Sequence, residues 1–286
     1  MSETRTCGSF YYNTRIAGML DNSVTKDFDK VFDLFMQKLN AKENFAFTRF
    51  SDGEMFILQN QPVVLADSYY ITGQIAGPNV YTEEEQKEFI PQIHQFYRQK
   101  LIEALQHKQK NYYKGICPRE DVGEENFKFQ LNLHGEGDDG HLTYASALIN
   151  KNYRRFVEEM VPLFAKRDII YVANKMADLS KLPFKVKKHF EIGRNCPVND
   201  YDTVEKVRLY IAENDIEDHI ILCSAASLSN YITHQCFSEN PNNTYLDIGS
   251  CLNPYLGLEG WKYTRGYLTH YWLNSGSPYG ELGGTW

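Results

Sequence analysis

Two carboxylates flank a glycine in the segment Asp52-Gly53-Glu54, and Arg49 lies just upstream. Acidic residues two positions apart point the same way from an extended backbone, and a glycine between them lets the backbone turn sharply or approach a ligand. Hard divalent cations such as Mg²⁺ and Mn²⁺ bind carboxylate oxygens together with substrate phosphates. The segment therefore has the residues for a metal site beside a phosphate, which Arg49 is also suited to contact.

An ordinary structural interpretation of the same tripeptide is a turn that leads into a helix. Acidic residues are favoured in the first turn of a helix because they interact with the positive end of the helix dipole. The spacing of Asp52 and Glu54 fits both interpretations, so the surrounding elements must be considered.

Short apolar segments rich in β-branched and aromatic residues recur along the chain. Such segments are typical of strands that are covered on both faces in a parallel sheet. They are FAFTRF (45–50), YYKGIC (112–117), DIIYVA (168–173), HIILCS (219–224) and TYLDIG (244–249).

Segments with helical periodicity separate these strands. The alternation predicts an α/β, Rossmann-like fold with a mostly parallel sheet flanked by helices. We expect a helix and then a short HFEI strand after residue 173, and an N-cap at Asp200. The predicted helices cover 25–39, 83–106 (one or two helices, with a break at Pro91), 200–214 and 227–237.

Polar residues follow several of the predicted strands. Ligands bind at the carboxyl ends of strands in such sheets, where loops and helix N-termini converge. Each residue alone is also an ordinary turn residue, but their joint placement on one edge favours a binding site. They are Arg49, Asp52, Glu54, Asn174, Lys175, Ser224, Ser227, Asp247 and Ser250.

The composition is that of a soluble globular protein with 286 residues, a net charge of −7 and 14% aromatic residues. The acidic charge argues against a dedicated nucleic-acid binder. We expect a cytoplasmic protein, because the six cysteines are scattered and the sequence shows neither an apolar leader nor an apolar run of membrane-spanning length. We expect one domain over 1–286, with a helical N-terminal portion (about 1–40) and an aromatic-rich tail (about 257–286).

Four segments together resemble the GT-D-type glycosyltransferases. RFSDGE (49–54) resembles the family signature R-F-G-D-G-E, and CPVNDYDTVEKVRLYI (196–211) resembles its C-P-x-x-N-A-F-D segment. HIILCSAASLSNYITHQC (219–236) is similar to its strand, small-residue turn and helix, and YLDIGS (245–250) to its A-I-D-I-G-H segment. The matches keep the family's order from about residue 40 to 256.

The resemblance implies a hexosyl- or pentosyltransferase that uses a nucleotide-diphosphate sugar, with a UDP-linked donor expected first. It implies that Asp52 and Glu54 contact Mn²⁺ or Mg²⁺ on the diphosphate, where the metal stabilises the charge of the departing nucleotide. It also implies that Pro197, Asn199 and the turn from Ser224 to Ser227 line the nucleotide pocket. The full set of expected donor contacts is Arg49, Gly53, Asn174, Lys175, Pro197, Asn199, Ser224, Ser227 and Ser250.

The chain departs from the family at DIGSCLNPY, where Ser250 replaces a histidine and Leu252 and Pro254 replace acids. The resemblance therefore supplies no general base from that segment. Asp247, Glu259, His270 and the acidic loop HGEGDDGH (134–141) are the candidates for this role. The loop is equally compatible with a solvated turn.

The sequence leaves the chemical identity of the sugar acceptor open. Aromatic and basic residues interleave in the tail, which suits stacking on a sugar or a base, but also packing against the domain or a homo-oligomer interface. A glycan, a protein-linked sugar, a small molecule or an extruded DNA base would each fit. A nucleotide-sugar hydrolase and a non-catalytic nucleotide- or glycan-binding module are the alternative functions.

Overall fold

The computed structural model describes residues 28–65, 68–71, 74–78, 85–135 and 141–273. The first part of the predicted helical N-terminal portion, residues 136–140 of the acidic loop and the tail beyond residue 273 lie outside the described residues. Within the described part of the chain, no helix is both long and apolar enough to cross a membrane.

The described strands form two sheets. Seven parallel strands make the main sheet in the order β7-β6-β1-β11-β10-β8-β9, and four antiparallel strands make a small sheet in the order β4-β3-β2-β5. The strands are β1 (Ala46–Phe50), β2 (Val63–Leu65), β3 (Ser68–Ile71), β4 (Gln74–Pro78), β5 (Lys87–Phe89), β6 (Tyr112–Ile116), β7 (Leu142–Tyr144), β8 (Ile169–Asn174), β9 (Val186–Ile192), β10 (Ile220–Cys223) and β11 (Thr244–Asp247).

Helices connect the parallel strands. A π-helical segment, Phe156–Met160, joins α5 to α6, and 3₁₀ turns form at Asn150–Asn152 and Leu179–Lys181. The α-helices are α1 (Phe28–Ala41), α2 (Asp52–Leu58), α3 (Gln95–Gln106), α4 (Arg119–His134), α5 (Tyr153–Arg155), α6 (Val161–Phe164), α7 (Cys196–Asn199), α8 (Thr203–Glu213), α9 (Ser227–Glu239), α10 (Asn253–Leu256), α11 (Trp261–Thr264) and α12 (Gly266–Leu273).

Alternate side chains of the central strands enter two hydrophobic clusters, one on each face of the main sheet. In β8, Ile170 and Val172 belong to one cluster, and Ile169, Tyr171 and Ala173 belong to the other. Helices α2, α3, α4, α8 and α9 contribute to the first cluster, and α1, α5, α6 and α10 to α12 contribute to the second. Because both faces are covered, these strands are apolar at nearly every position.

The fold class expected from the sequence is confirmed by this sheet. Each of the five apolar segments forms a central parallel strand, and all of these strands end on one edge of the sheet. The described part of the aromatic C-terminal segment packs onto the domain, where Trp272 Nε1 donates to Tyr153 Oη at 2.9 Å and Tyr267 is buried.

Three predictions about helices are wrong. Residues 87–89 form strand β5 rather than helix, because they pair with β2 and bury Phe89. A short 3₁₀ turn replaces the predicted helix after residue 173, because Asp178 caps Leu179–Lys181 and Pro183 follows closely. The N-cap of α8 is Asp202. Asp200 instead ends α7, and its carboxylate accepts a 2.8 Å hydrogen bond from Gly193 N.

Candidate functional site

The Asp-Gly-Glu segment begins α2 directly after β1. Glu54 is only 6% exposed and occupies the third position of the helix, where Oε2 accepts a 3.1 Å hydrogen bond from Ser51 N. This contact is one half of a capping box, in which N-cap and third residue satisfy each other's backbone donors. Asp52 is half-buried at the first position of the same helix. The motif is therefore a turn that leads into the first residues of a helix, and starting α2 is part of its role.

Ser227 connects this segment to a second strand end. Its hydroxyl donates a 2.9 Å hydrogen bond to Glu54 Oε1, and Ser227 is fully buried as the first residue of α9. The preceding Ala226 has a φ of 45°, a positive value that a residue with a Cβ rarely adopts. The tight β10–α9 turn thus delivers a hydroxyl to the carboxylate across 173 residues of sequence.

Asp247 lies at the end of β11, which pairs with β1 in the sheet. Its Oδ2 accepts a 3.1 Å hydrogen bond from Arg49 N, and its Oδ1 accepts a 3.2 Å hydrogen bond from Gly249 N. Burial raises the pKa of Asp247 to about 7, although the Arg49 guanidinium opposes the rise, and Glu54 adds to it. A carboxyl with such a pKa exchanges its proton near neutral pH.

The Arg49 side chain is held inside the site. Nε donates a 2.7 Å hydrogen bond to the carbonyl oxygen of Ala145, which follows β7. Nη2 lies 3.4 Å from Ser51 Oγ. Gly249 makes room for the guanidinium, because a Cβ at that residue would lie 2.2 Å from Arg49 Nη1. Arg49 therefore adds a fixed positive charge where β1, β7 and β11 end.

Ser250 joins this edge to the C-terminal helices. Its hydroxyl lies 3.1 Å from Tyr267 Oη and accepts from Arg265 Nε at 3.3 Å. Arg265 Nη2 is in turn 3.9 Å from Glu85 Oε1, just before β5 of the small sheet. The C-terminal segment thus reaches across the site to the small sheet.

A small cleft lies next to the Glu54–Ser227 pair. Its walls come from α2, the small sheet, α3, α7 and α9. Pro197 and Ser227 are the two predicted site residues that line it. The remaining walls are mostly apolar or aromatic, including Ile57, Val63, Phe89, Tyr97, Val198 and Tyr231.

Other predicted donor residues make local contacts. Asn174 Oδ1 accepts from Met176 N at 2.9 Å, which shapes the turn after β8, and the Lys175 side chain is exposed. Asn199 is exposed and donates to Arg194 O at 2.9 Å. Ser224 Oγ lies 2.8 Å from the hydroxyl of the buried Tyr171.

The remaining base candidates lie on the C-terminal segment. Glu259 is exposed and forms a 2.7 Å ion pair with Lys262. His270 is 7% exposed on α12. Among the described residues, no hydrogen bond or ion pair links Glu259 to Asp52, Glu54 or Asp247. The structure therefore brings Asp247, and not Glu259, into contact with the β1 edge.

Three residues of this region have no signal that singled them out in the sequence. Lys87 and Asn195 line the cleft. Asn230 Nδ2 donates to Thr48 Oγ1 at 2.8 Å and to Arg49 O at 2.7 Å, so it fixes the end of β1 against α9. Lys87 lies in a charged segment that fits a helix equally well, and Asn195 and Asn230 acquire their roles only from tertiary contacts.

The expectation of an extended backbone that points both carboxylates the same way is wrong: Asp52 and Glu54 are the first and third residues of α2, and side chains two positions apart on a helix do not face each other. Within the described part of the chain, no group of three or more His, Cys, Asp and Glu side chains is arranged to hold a metal. Two carboxylates with phosphate oxygens are nevertheless a common Mg²⁺ set. Each Glu54 oxygen accepts one hydrogen bond and retains a second lone pair. Asp52 is the other carboxylate of the motif and is half-buried at the helix start.

Solved structures align with most of this chain. A glycosyltransferase (DUF1792) from Streptococcus sanguinis aligns with 83% of this chain and 84% of its own, at 14% identity and a TM-score of 0.51. A selenomethionine-substituted domain of unknown function 1792 aligns over 83% and 86%, at 10% identity and a TM-score of 0.49. Another structure of that domain, described as a distinct glycosyltransferase fold, aligns over 82% and 80%, at 11% identity and a TM-score of 0.48.

No family model and no curated protein matches the sequence. At 14% identity, the similarity to the Streptococcus sanguinis structure establishes a common fold. The chain therefore has the Rossmann-like α/β fold of that glycosyltransferase, as the resemblance of the four sequence segments implied.

Proposed function

We propose that this protein is a glycosyltransferase that moves a sugar from a nucleotide-diphosphate sugar to an acceptor. The observation that carries the proposal is the hydrogen bond from Ser227 to Glu54 at the carboxyl edge of the sheet. It joins two of the segments that resemble the GT-D-type family, RFSDGE and the β10–α9 turn. The common fold with the Streptococcus sanguinis glycosyltransferase supports the same conclusion.

In this proposal, Asp52 and Glu54 hold Mn²⁺ or Mg²⁺ against the donor diphosphate. A bound divalent cation stabilises the negative charge that develops on a departing nucleoside diphosphate. The chain itself orients the Glu54 carboxylate, because the Ser51 amide and the Ser227 hydroxyl each donate a hydrogen bond to one of its two oxygens. The fixed guanidinium of Arg49 adds positive charge at the same edge.

The nucleotide occupies the cleft beside Ser227, with Pro197 in its wall. The apolar and aromatic lining suits the flat face of a base, and we propose UDP-linked sugars as the first donors to test. The other donor contacts proposed are Arg49, Gly53, Asn174, Lys175, Asn199, Ser224 and Ser250.

Asp247 is the general-base candidate that its position supports. It is buried at the β1–β11 junction beside Arg49, and its pKa of about 7 suits proton transfer near neutral pH. Each of its oxygens accepts one backbone hydrogen bond and keeps a lone pair for an acceptor hydroxyl. Glu259 and His270 remain the other candidates.

The test is a turnover assay with Mn²⁺ and a panel of UDP-, GDP-, CDP- and dTDP-sugars. Release of nucleoside diphosphate that depends on an added glycan, peptide-linked sugar or DNA acceptor, with a glycosylated product by mass spectrometry, is the expected result. Release of free sugar at the same rate without an acceptor would instead indicate a hydrolase. Asp52→Asn is the inactive control. Binding of donors without turnover under every condition would contradict the enzyme assignment.

A further inference from the structure

The Lys87 side chain from the small sheet contacts the glycine of the Asp-Gly-Glu segment. A Cβ built on Gly53 would lie 2.5 Å from Lys87 Nζ, so the ammonium lies directly against the backbone between the two carboxylate-bearing residues. Lys87 is half-buried and lines the same cleft as Ser227 and Pro197. A cationic group thus lies where the proposed nucleotide cleft meets the proposed metal site.

Asn195 fixes the backbone of Lys87 from both sides. Asn195 N donates a 3.0 Å hydrogen bond to Gln86 O, and Asn195 Oδ1 accepts a 2.9 Å hydrogen bond from Glu88 N. Asn195 has a φ of 52°, a left-handed conformation that asparagine adopts more readily than most residues. On its other edge, β5 pairs with β2, where Lys87 is opposite Leu65. The ammonium therefore extends from a backbone that is held on two sides.

Acidic residues lie around Lys87, because Glu88 lines the same cleft and Asp52 and Glu54 flank Gly53. None of the described Asp and Glu side chains forms an ion pair with the Lys87 ammonium. Removing an ammonium partly from water costs free energy that a bound anion would recover. The phosphates of a nucleotide bound at Asp52 and Glu54 would lie beside Gly53, because they complete the coordination of the metal.

We propose that Lys87 binds the diphosphate of the donor and makes the cleft selective for nucleoside diphosphates over nucleosides. This inference rests on the proposed function, since it requires a nucleotide in the cleft. Together with the cation at Asp52 and Glu54, the Lys87 ammonium would neutralise the diphosphate from the side of the small sheet. Asn195 acts as the positioning residue for Lys87.

The test compares binding of UDP and uridine to Lys87→Met by isothermal titration calorimetry with Mn²⁺, with GDP and guanosine, CDP and cytidine, and dTDP and thymidine as parallel pairs. For the pair that the wild type binds, the expected result is a loss of about tenfold in diphosphate affinity with nucleoside affinity unchanged. Lys87→Arg keeps the charge and should retain most of the affinity. Lys187→Met is the matched control, because Lys187 pairs with Asp168 away from the cleft.

The outcomes separate the two proposals. If the wild type binds none of the diphosphates, the proposed function is overturned and this inference with it. If the wild type binds one and Lys87→Met binds it equally well, Lys87 has no part in diphosphate binding. Equal losses for diphosphate and nucleoside would show a structural role and also overturn the inference. Should Lys87→Met fail to fold, Lys87→Gln removes the charge and keeps a polar side chain, and unchanged diphosphate affinity in that variant would overturn the proposal.

Discussion

The hydroxyl of Ser227 donates a 2.9 Å hydrogen bond to the buried Oε1 of Glu54. The two residues begin different helices, α9 and α2, which follow different strands of one parallel sheet. A single contact therefore sets the relative position of two strand-to-helix turns at the edge where ligands bind in such sheets.

Ser227→Ala should destabilise the fold and reduce activity together. The substitution leaves Glu54 Oε1 buried without its donor, which costs about 1–3 kcal/mol. The measurement is urea unfolding, followed by the donor assay. Ser238→Ala is the matched control on the same helix, because its hydroxyl is exposed, and its free energy of unfolding should change by about 0.5 kcal/mol or less. Equal stability of the two variants would show that the Ser227–Glu54 contact contributes nothing.

The two carboxylates of the motif should respond differently to removal of their charge. Asp52→Asn should abolish donor turnover and lower the free energy of unfolding by about 0.3–1 kcal/mol, because a carboxylate in the first turn interacts favourably with the helix dipole. Glu54→Gln should also abolish turnover, but lose about 1–3 kcal/mol, because two buried charge-assisted hydrogen bonds, from Ser51 N and Ser227 Oγ, are replaced by weaker hydrogen bonds to a neutral amide. Parallel urea melts and turnover assays check both. Full turnover in either variant would exclude that carboxylate as an essential metal ligand.

Asp247 should make the stability of the protein depend on pH. Burial raises its pKa from 3.8 to about 7, so between these values the folded state binds more protons than the unfolded state. The contribution of Asp247 is therefore largest at low pH and is lost as pH rises through about 7. In the wild type, this effect should lower the free energy of unfolding by about 1–4 kcal/mol between pH 4 and pH 7. In Asp247→Asn this decrease should be absent.

The measurement for Asp247 is urea unfolding of both proteins at intervals from pH 4 to pH 8. The difference between the two curves isolates this residue from other titrating groups. A constant difference across the window would show that Asp247 has an ordinary pKa. A matching loss of turnover at neutral pH in Asp247→Asn is expected if the residue is the base.

Gly249→Ala should disturb the Arg49 guanidinium. The residue has a φ of 51°, and a Cβ there would lie 2.2 Å from Arg49 Nη1. Backbone strain and displacement of Arg49 together should cost about 2 kcal/mol or more. Gly257→Ala is the matched control, with a φ of 72° and its nearest contact at 3.4 Å from a flexible Lys181 amine. Thermal unfolding compares the two, and donor affinity should fall only in Gly249→Ala. Equal losses of stability and equal donor affinity in the two variants would show that backbone strain alone, and not displacement of Arg49, is the cause.

The central strands could be predicted from the sequence because burial on both faces requires apolar residues at nearly every position. Each of β1, β6, β8, β10 and β11 lies within its predicted apolar segment, to within a residue or so at either end. The small sheet could not be predicted in this way. Its strands are short and partly polar, and they are stabilised by pairing with one another, which no local pattern encodes.

The candidate site shows the same division. The sequence identifies Asp52, Glu54, Ser227 and Asp247 as polar residues at strand ends. The contacts of Ser227 with Glu54 and of Asp247 with Arg49 depend on the strand order β1-β11-β10, which the sequence does not show. Lys87 was missed because EEEQKEF has the composition of an exposed helix. The position of Lys87 beside the motif results from the packing of β5 against α2 and α7, which the sequence does not show.

The most direct test of the proposed donor site is a thermal-shift panel of nucleoside diphosphates and nucleotide sugars, each with and without Mn²⁺. The account predicts a rise in melting temperature for at least one nucleotide that requires the metal and disappears in Asp52→Asn, because a ligand that binds only the folded state stabilises it. No rise with any nucleotide, or a rise that persists without the metal and in Asp52→Asn, would contradict it.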